Sequence, residues 1–299
     1  MRTPFTGVGT ALVTPFTKNG DMDEAAVRRL GRRQIDAGIH FLCPCGTTGE
    51  NPTLTAAERL RMIEILVEES NGKVPILAGA GGYDTRELIH AAGEMARRGV
   101  SGFLSVTPYY NKPTQEGLYQ HYRAFAESTP LPIVVYNVPG RTGVNVDVST
   151  LARLATIPNI IGVKEASGNV SQMCEIVRAV PSDFIVLSGD DALTLPLMAV
   201  GGHGIISVAG NEIPAEMVKM VEAAERNDFA AARAVHARIF PLMSINFIES
   251  NPVPVKAAMA AMGLIDEIYR LPMVSPSAAS KDKINAVLKE LALLKGVLA

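Results

Sequence analysis

Cysteine is scarce in this chain. The three present, Cys43, Cys45 and Cys174, make no even disulfide framework, and Cys43-Pro44-Cys45 lacks the second pair a zinc site would need. They read as reduced, buried thiols of a cytosolic protein. The five histidines show no His-Glu-x-x-His spacing and read as structural or exposed groups rather than metal ligands. No apolar run approaches the roughly 18 residues of a membrane span, and Thr, Gly and Pro interrupt the N-terminus where a signal peptide would carry its apolar stretch. An excess of one charge is missing as well. With 28 Lys plus Arg against 30 Asp plus Glu, the net charge is −2 and no basic stripe offers itself to nucleic acid or an anionic membrane. Two nucleotide motifs are also absent. There is no Gly-x-x-x-x-Gly-Lys-Ser/Thr loop, and Gly79-Ala80-Gly81-Gly82 is followed by Asp84 where a dinucleotide fingerprint needs its last glycine. A small molecule is the partner these exclusions leave.

What the chain does have is 47% hydrophobic residues in a regular alternation of β-rich runs and helical patterns. The runs are Val8 to Thr14, Ile39 to Leu42, Val74 to Ala78, Gly102 to Val106, Pro132 to Tyr136, Ile160 to Lys164, Phe184 to Ser188 and Gly204 to Val208. Helical patterns follow them from about Asp23, from the capping box Thr55-Ala56-Ala57-Glu58, and over 85–98, 115–128, 147–155, 171–180, 192–200 and 215–227. Eight such units predict a parallel sheet closed into a (β/α)₈ TIM barrel, with an open doubly wound sheet as the alternative on pattern alone. After Asn227 the strands stop, and 230–239, 253–262 and 278–294 read as a helical appendix. The expected organisation is a barrel carrying the active site over residues 1–227 and a helical subdomain over 228–299.

In such barrels the site lies at the C-terminal ends of the strands. Those ends carry Gly46-Thr47-Thr48-Gly49-Glu50, Thr107-Pro108-Tyr109-Tyr110-Asn111, Tyr136 to Gly143 with Arg141, Lys164, and Ser188-Gly189-Asp190-Asp191. Each has a structural reading when taken alone. The glycine-flanked threonines make a turn, the tyrosine pair packs, Arg141 is a solvated charge, and Asp190-Asp191 caps the seventh helix. Lys164 is harder to set aside. Among ten lysines it alone ends an apolar strand, whereas Lys219 and Lys256, for example, fall in helical patterns.

One chemistry uses this set together. A neutral amine can attack a ketone and form a Schiff base, although an ordinary lysine pKa near 10.4 must drop by about three units to populate the nucleophile at neutral pH. Desolvation in a barrel can supply that shift. The protonated imine then lets the neighbouring carbon lose a proton to give an enamine, and phenols with hydroxyls in a hydrogen-bonded chain can move the protons, Tyr136 being the natural candidate. The threonine loop could bind a keto-acid carboxylate, and Arg141 could hold a second carboxylate.

These motifs, together with Gly162 to Gly168, Gly201 to Ser207 and Asn251-Pro252-Val253-Pro254-Val255-Lys256, resemble those of the 4-hydroxy-tetrahydrodipicolinate synthase (dihydrodipicolinate synthase) family nearly end to end. The resemblance implies that Lys164 forms a Schiff base with pyruvate and that its enamine attacks L-aspartate 4-semialdehyde, on the route to lysine and diaminopimelate. It implies a proton relay of Tyr136, Thr47 and Tyr110, with Tyr110 entering from a neighbouring subunit. Thr48, Ile206 and Gly189 would line the pyruvate site, and Arg141 would recognise the semialdehyde. No organic cofactor is implied, and a cytoplasmic homotetramer built as a dimer of dimers is. N-acetylneuraminate lyase and keto-deoxy sugar acid aldolases share the lysine and the hydroxyl loop, and Arg141 in Gly-Arg-Thr-Gly discriminates against them. A ligand-binding barrel without catalysis is the remaining class, and the intact lysine, tyrosines and threonines speak against it. At the positions some members use to bind inhibitory lysine, Ala56, Arg59 and Tyr83 depart and Glu87 is kept, so weak or absent feedback is expected.

Overall fold

The computed structural model describes residues 4–294. Eight strands, β1 (Gly7–Ala11), β2 (Phe41–Cys43), β3 (Leu77–Gly79), β4 (Gly102–Val106), β5 (Ile133–Asn137), β6 (Ile160–Glu165), β7 (Ile185–Ser188) and β8 (Gly204–Ser207), form one parallel sheet. In spatial order, β1 lies between β2 and β8. The sheet closes where Leu42 pairs with Ile76, beyond the formal ends of β2 and β3. The eight units therefore make a TIM barrel, and the open-sheet alternative is set aside.

Helices alternate with the strands: α1 (Glu24–Asp36), α2 (Ala56–Ser70), α3 (Thr85–Ala96) and α4 (Gln115–Glu127) in the first half. A short α5 (Pro139–Thr142), which periodicity could not reveal, precedes α6 (Val148–Leu154), α7 (Val170–Ala179), α8 (Thr194–Ala199) and α9 (Pro214–Glu225). The capping box at α2 forms as its sequence predicts: Glu58 N–H donates to Thr55 Oγ1 at 3.2 Å and Thr55 N–H to Glu58 Oε2 at 2.9 Å. The chain then continues through α10 (Phe229–Ile245), α11 (Val253–Ala261) and α12 (Ala278–Glu290). The last helix stops before Leu294, and Lys295 lies outside the described residues.

Two apolar layers follow from strand alternation. Outward residues such as Val8, Leu42, Phe103, Val135, Val163 and Val186 pack under the helices. Inward residues Phe5, Phe41, Leu77, Leu104, Val134, Tyr136, Leu187 and Ile206 fill the lumen. Gly9 makes room for Phe41, because a Cβ there would sit 2.0 Å from the ring. Histidines close strand ends with side-chain bonds: Val8 N–H donates to His40 Nδ1 and Val186 N–H to His203 Nδ1, each at 3.1 Å. Cys43 and Cys45 are buried, but Cys174 is exposed, against expectation, because it lies on the solvent side of α7. Among the described residues no helix is long and apolar enough to cross a membrane.

Candidate active site

The register of β5 against β6 is what assembles the centre. Tyr136 pairs with Lys164 and Asn137 with Glu165. Side chains alternate across a strand, so one pair faces the lumen and the other faces the helices. On the lumen side, Lys164 Nζ lies 4.2 Å from the Tyr136 ring centroid. On the far side, Asn137 Nδ2 donates to Glu165 Oε2 at 2.9 Å and Ser167 N–H to Glu165 Oε1 at 2.7 Å. The strand thus runs one residue past Lys164, and the buried Glu165 anchors its end.

Lys164 is 5% exposed, in a wall of apolar and small residues. Gly189 lies beside it: a Cβ there would come 3.1 Å from Lys164 Cε and 2.5 Å from Ala166 Cβ, so only glycine leaves space for the lysine stem. Ile206 is fully buried in the same lumen cluster as Tyr136. Cys43 is near enough to feel the Lys164 charge. Even so, burial pushes the Cys43 and Cys45 thiols up to about 12, which removes both as thiolate nucleophiles near neutral pH.

A cavity of about 370 Å³ opens against Tyr136 and is lined also by Thr47, Tyr109, Arg141, Asn251 and Met273, among others, whereas Lys164, Thr48, Gly189 and Ile206 lie behind its wall. Short α5 brings Arg141 to the rim, where its Nη2 donates to the Asn251 carbonyl at 3.0 Å. This places the guanidinium at the cavity edge, while the residue as a whole stays exposed. Thr48 is buried, and its Oγ1 accepts from Asn251 Nδ2 at 2.9 Å. That bond uses a hydroxyl lone pair and leaves the Thr48 O–H free to donate, which suits a carboxylate. Tyr110 stands apart from the others. It is 91% exposed, with a left-handed backbone (φ 68°), and Tyr109 takes the place on the cavity wall.

Asp190 and Asp191 do not cap the seventh barrel helix as expected, since α8 has no side-chain cap. Asp191 instead accepts from Ser207 Oγ at 2.5 Å and from the Val208 and Ala209 N–H groups at 3.0 and 3.1 Å, tying β7 to the turn after β8. Burial raises its pKa, with these bonds opposing.

The residues that sequence reasoning passed over are on the appendix side. Asn251 joins Thr48 to Arg141. Lys256, taken as one more helical lysine, is wholly buried, its Nζ 2.5 Å from Glu50 Oε1. A visible signal was available: Lys256 is the one charge in Val-Pro-Val-Lys-Ala-Ala-Met-Ala-Ala.

The model of the dihydrodipicolinate synthetase family matches residues 4–291. A 4-hydroxy-tetrahydrodipicolinate synthase from Koribacter versatilis (strain Ellin345) is 54% identical over 290 residues, covering 97% of each chain. The crystal structure of dihydrodipicolinate synthase from Thermotoga maritima is similar with a TM-score of 0.96 at 45% identity, over 98% of this chain and all of that one. A dihydrodipicolinate synthase variant characterised as the first monomeric one gives a TM-score of 0.95 at 45% identity, covering 97% and 98% of the two chains.

Proposed function

The chain belongs to the dihydrodipicolinate synthetase family and is a lyase condensing pyruvate with L-aspartate 4-semialdehyde to 4-hydroxy-tetrahydrodipicolinate, and on that premise we propose that Lys164 carries the reaction. The observation that supports this most is the register pairing of Lys164 with Tyr136, which sets an amine 4.2 Å from the centre of a phenol ring that lines the cavity. Neutral Nζ attacks C2 of pyruvate, and one water leaves as the imine forms. Loss of a C3 proton gives the enamine, whose C3 bonds to the aldehyde carbon of the second substrate. The substrate's own amine then attacks C2, closes the ring and expels Lys164, so that the net by-product is that one water.

Tyr136 and Thr47, both on the cavity wall, pass the protons. Thr48 donates to the pyruvate carboxylate, with Ile206 and Gly189 shaping the space around the methyl end. Arg141, held by the Asn251 carbonyl, receives the semialdehyde carboxylate. The relay is completed from a second copy. Tyr110 is 91% exposed and is not on the wall of its own cavity, while its neighbour Tyr109 meets Tyr83 edge-on at 5.4 Å. The reading is a homotetramer made of two dimers in which Tyr110 crosses the dimer interface, and that one relative was characterised as the first monomeric variant supports assembly as the ordinary state. A cytosolic setting belongs to the same reading, supported by three free thiols.

The test is a steady-state comparison of pyruvate plus L-aspartate 4-semialdehyde against cleavage of keto-deoxy sugar acids. Turnover of the first pair alone is the expected result; turnover of the sugar acid alone would contradict it.

A further inference from the structure

The hydroxyl loop starts where β2 ends, so strand register cannot place Thr47 and Thr48. The loop turns tightly, with Gly49 N–H donating to the Gly46 carbonyl and Glu50 N–H to the Thr47 carbonyl, each at 3.1 Å. Glu50 itself then takes a left-handed backbone with φ of 55°. Residues with a Cβ adopt that conformation uncommonly and at some cost in strain.

The partner of the Glu50 side chain comes from α11, 206 residues away in sequence. Lys256 Nζ meets Glu50 Oε1, and the two side chains are 0% and 2% exposed. The Phe16 and Tyr269 rings lie 4.3 and 5.3 Å from the ammonium. A buried ion pair is a poor way to stabilise a core, because apolar side chains of the same volume do as well or better. What it supplies is a fixed distance and direction between two segments. Glu50 lines the cavity and Lys256 does not, so Lys256 acts on the reaction through its neighbours rather than by contact, and Glu50 is the one its charge grips.

We propose that Lys256 is a positioning residue for the condensation: through Glu50 it fixes the loop on which the Thr47 and Thr48 hydroxyls meet the keto-acid carboxylate. The inference rests on the pyruvate assignment made above. The test compares wild-type protein with Lys256→Met, which keeps the chain length and removes the charge. Because that change strands the Glu50 carboxylate in the core, the double variant Lys256→Met/Glu50→Gln, which buries no lone charge, is measured beside it. In whichever variant keeps the wild-type circular dichroism, the pyruvate KM should rise about tenfold or more while the semialdehyde KM shifts by less than about threefold.

A folded variant with pyruvate KM within about twofold of wild type would overturn the proposal, even if its thermal midpoint falls. Failure of both variants to fold would assign Lys256 to the fold alone and overturn it too. Wild-type protein that forms no borohydride-trappable pyruvate adduct would instead remove the pyruvate assignment, and the inference with it.

Discussion

The two walls of the active site are held by different physics. On the Lys164 side, position is set by the backbone ladder: Tyr136 and Lys164 are register partners on adjacent strands, and Gly189 and Ile206 sit on or just beyond the next two strands, β7 and β8. On the opposite side, the hydroxyl loop is held by side chains reaching from the appendix. Asn251 bonds Thr48, Lys256 bonds Glu50, and Arg270 donates to the Thr53 carbonyl and to Glu58. A ladder fixes a residue cooperatively through many bonds, whereas each of these anchors can be removed by one substitution. Lys164 and Tyr136 are thus placed on strands, and Thr47 and Thr48 on a loop that the appendix holds.

This contrast predicts different losses on the two sides. Tyr136→Phe leaves the ladder intact and removes only the phenolic proton carrier, so kcat should fall by roughly 10²- to 10³-fold with secondary structure unchanged. A kcat within about threefold of wild type would remove Tyr136 from the relay. Arg141→Ala should raise the semialdehyde KM by about 10- to 100-fold while pyruvate adduct formation is kept, reflecting the loss of a charge-assisted contact. Equal loss of both would contradict the split between recognition and chemistry.

The appendix anchor at Arg270 has a pH signature. Arg270 holds the Glu58 carboxyl down at about 2, against an ordinary 4.5, with burial opposing. The folded pKa lies below the unfolded one, so the stabilisation is complete above about 4.5 and is lost as pH falls towards 2. Both side chains are partly exposed, and solvent screening limits the contribution to about 1 kcal/mol. Arg270→Ala should therefore lower the denaturation midpoint at neutral pH, and its gap from wild type should narrow at about pH 3.5. A gap that widens with acid would refute the linkage. The smallest effect concerns regulation. Ala56 begins α2, Arg59 adds a cation, and Tyr83 is exposed, so added lysine should scarcely inhibit. Saturable inhibition below a millimolar would show that the departures at these positions do not matter.

The ladder wall was legible in the sequence because short continuous apolar runs announce buried strands and a lysine at the end of such a run is conspicuous. The strand count and the barrel followed, although boundaries slipped by a few residues: β1 ends at Ala11, not Thr14. The loop wall was far less legible. Thr47, Thr48 and Arg141 could be named, but nothing in local sequence says that Asn251 bonds Thr48 across 203 positions. Asp191 misled for the same reason: the local reading of a cap lost to a bond with Ser207 on the next strand. Lys256 was read only as a lysine in a helical pattern, because such a pattern carries no record of a carboxylate delivered from Glu50. Cys174 looked buried because cysteine usually is.

The central claim is that the Lys164 amine is the nucleophile. Incubation with pyruvate, reduction by borohydride and peptide mass spectrometry tests it directly. The predicted result is a single reduced pyruvate adduct on Lys164, absent from Lys164→Ala; an adduct on another residue, or none, would contradict it.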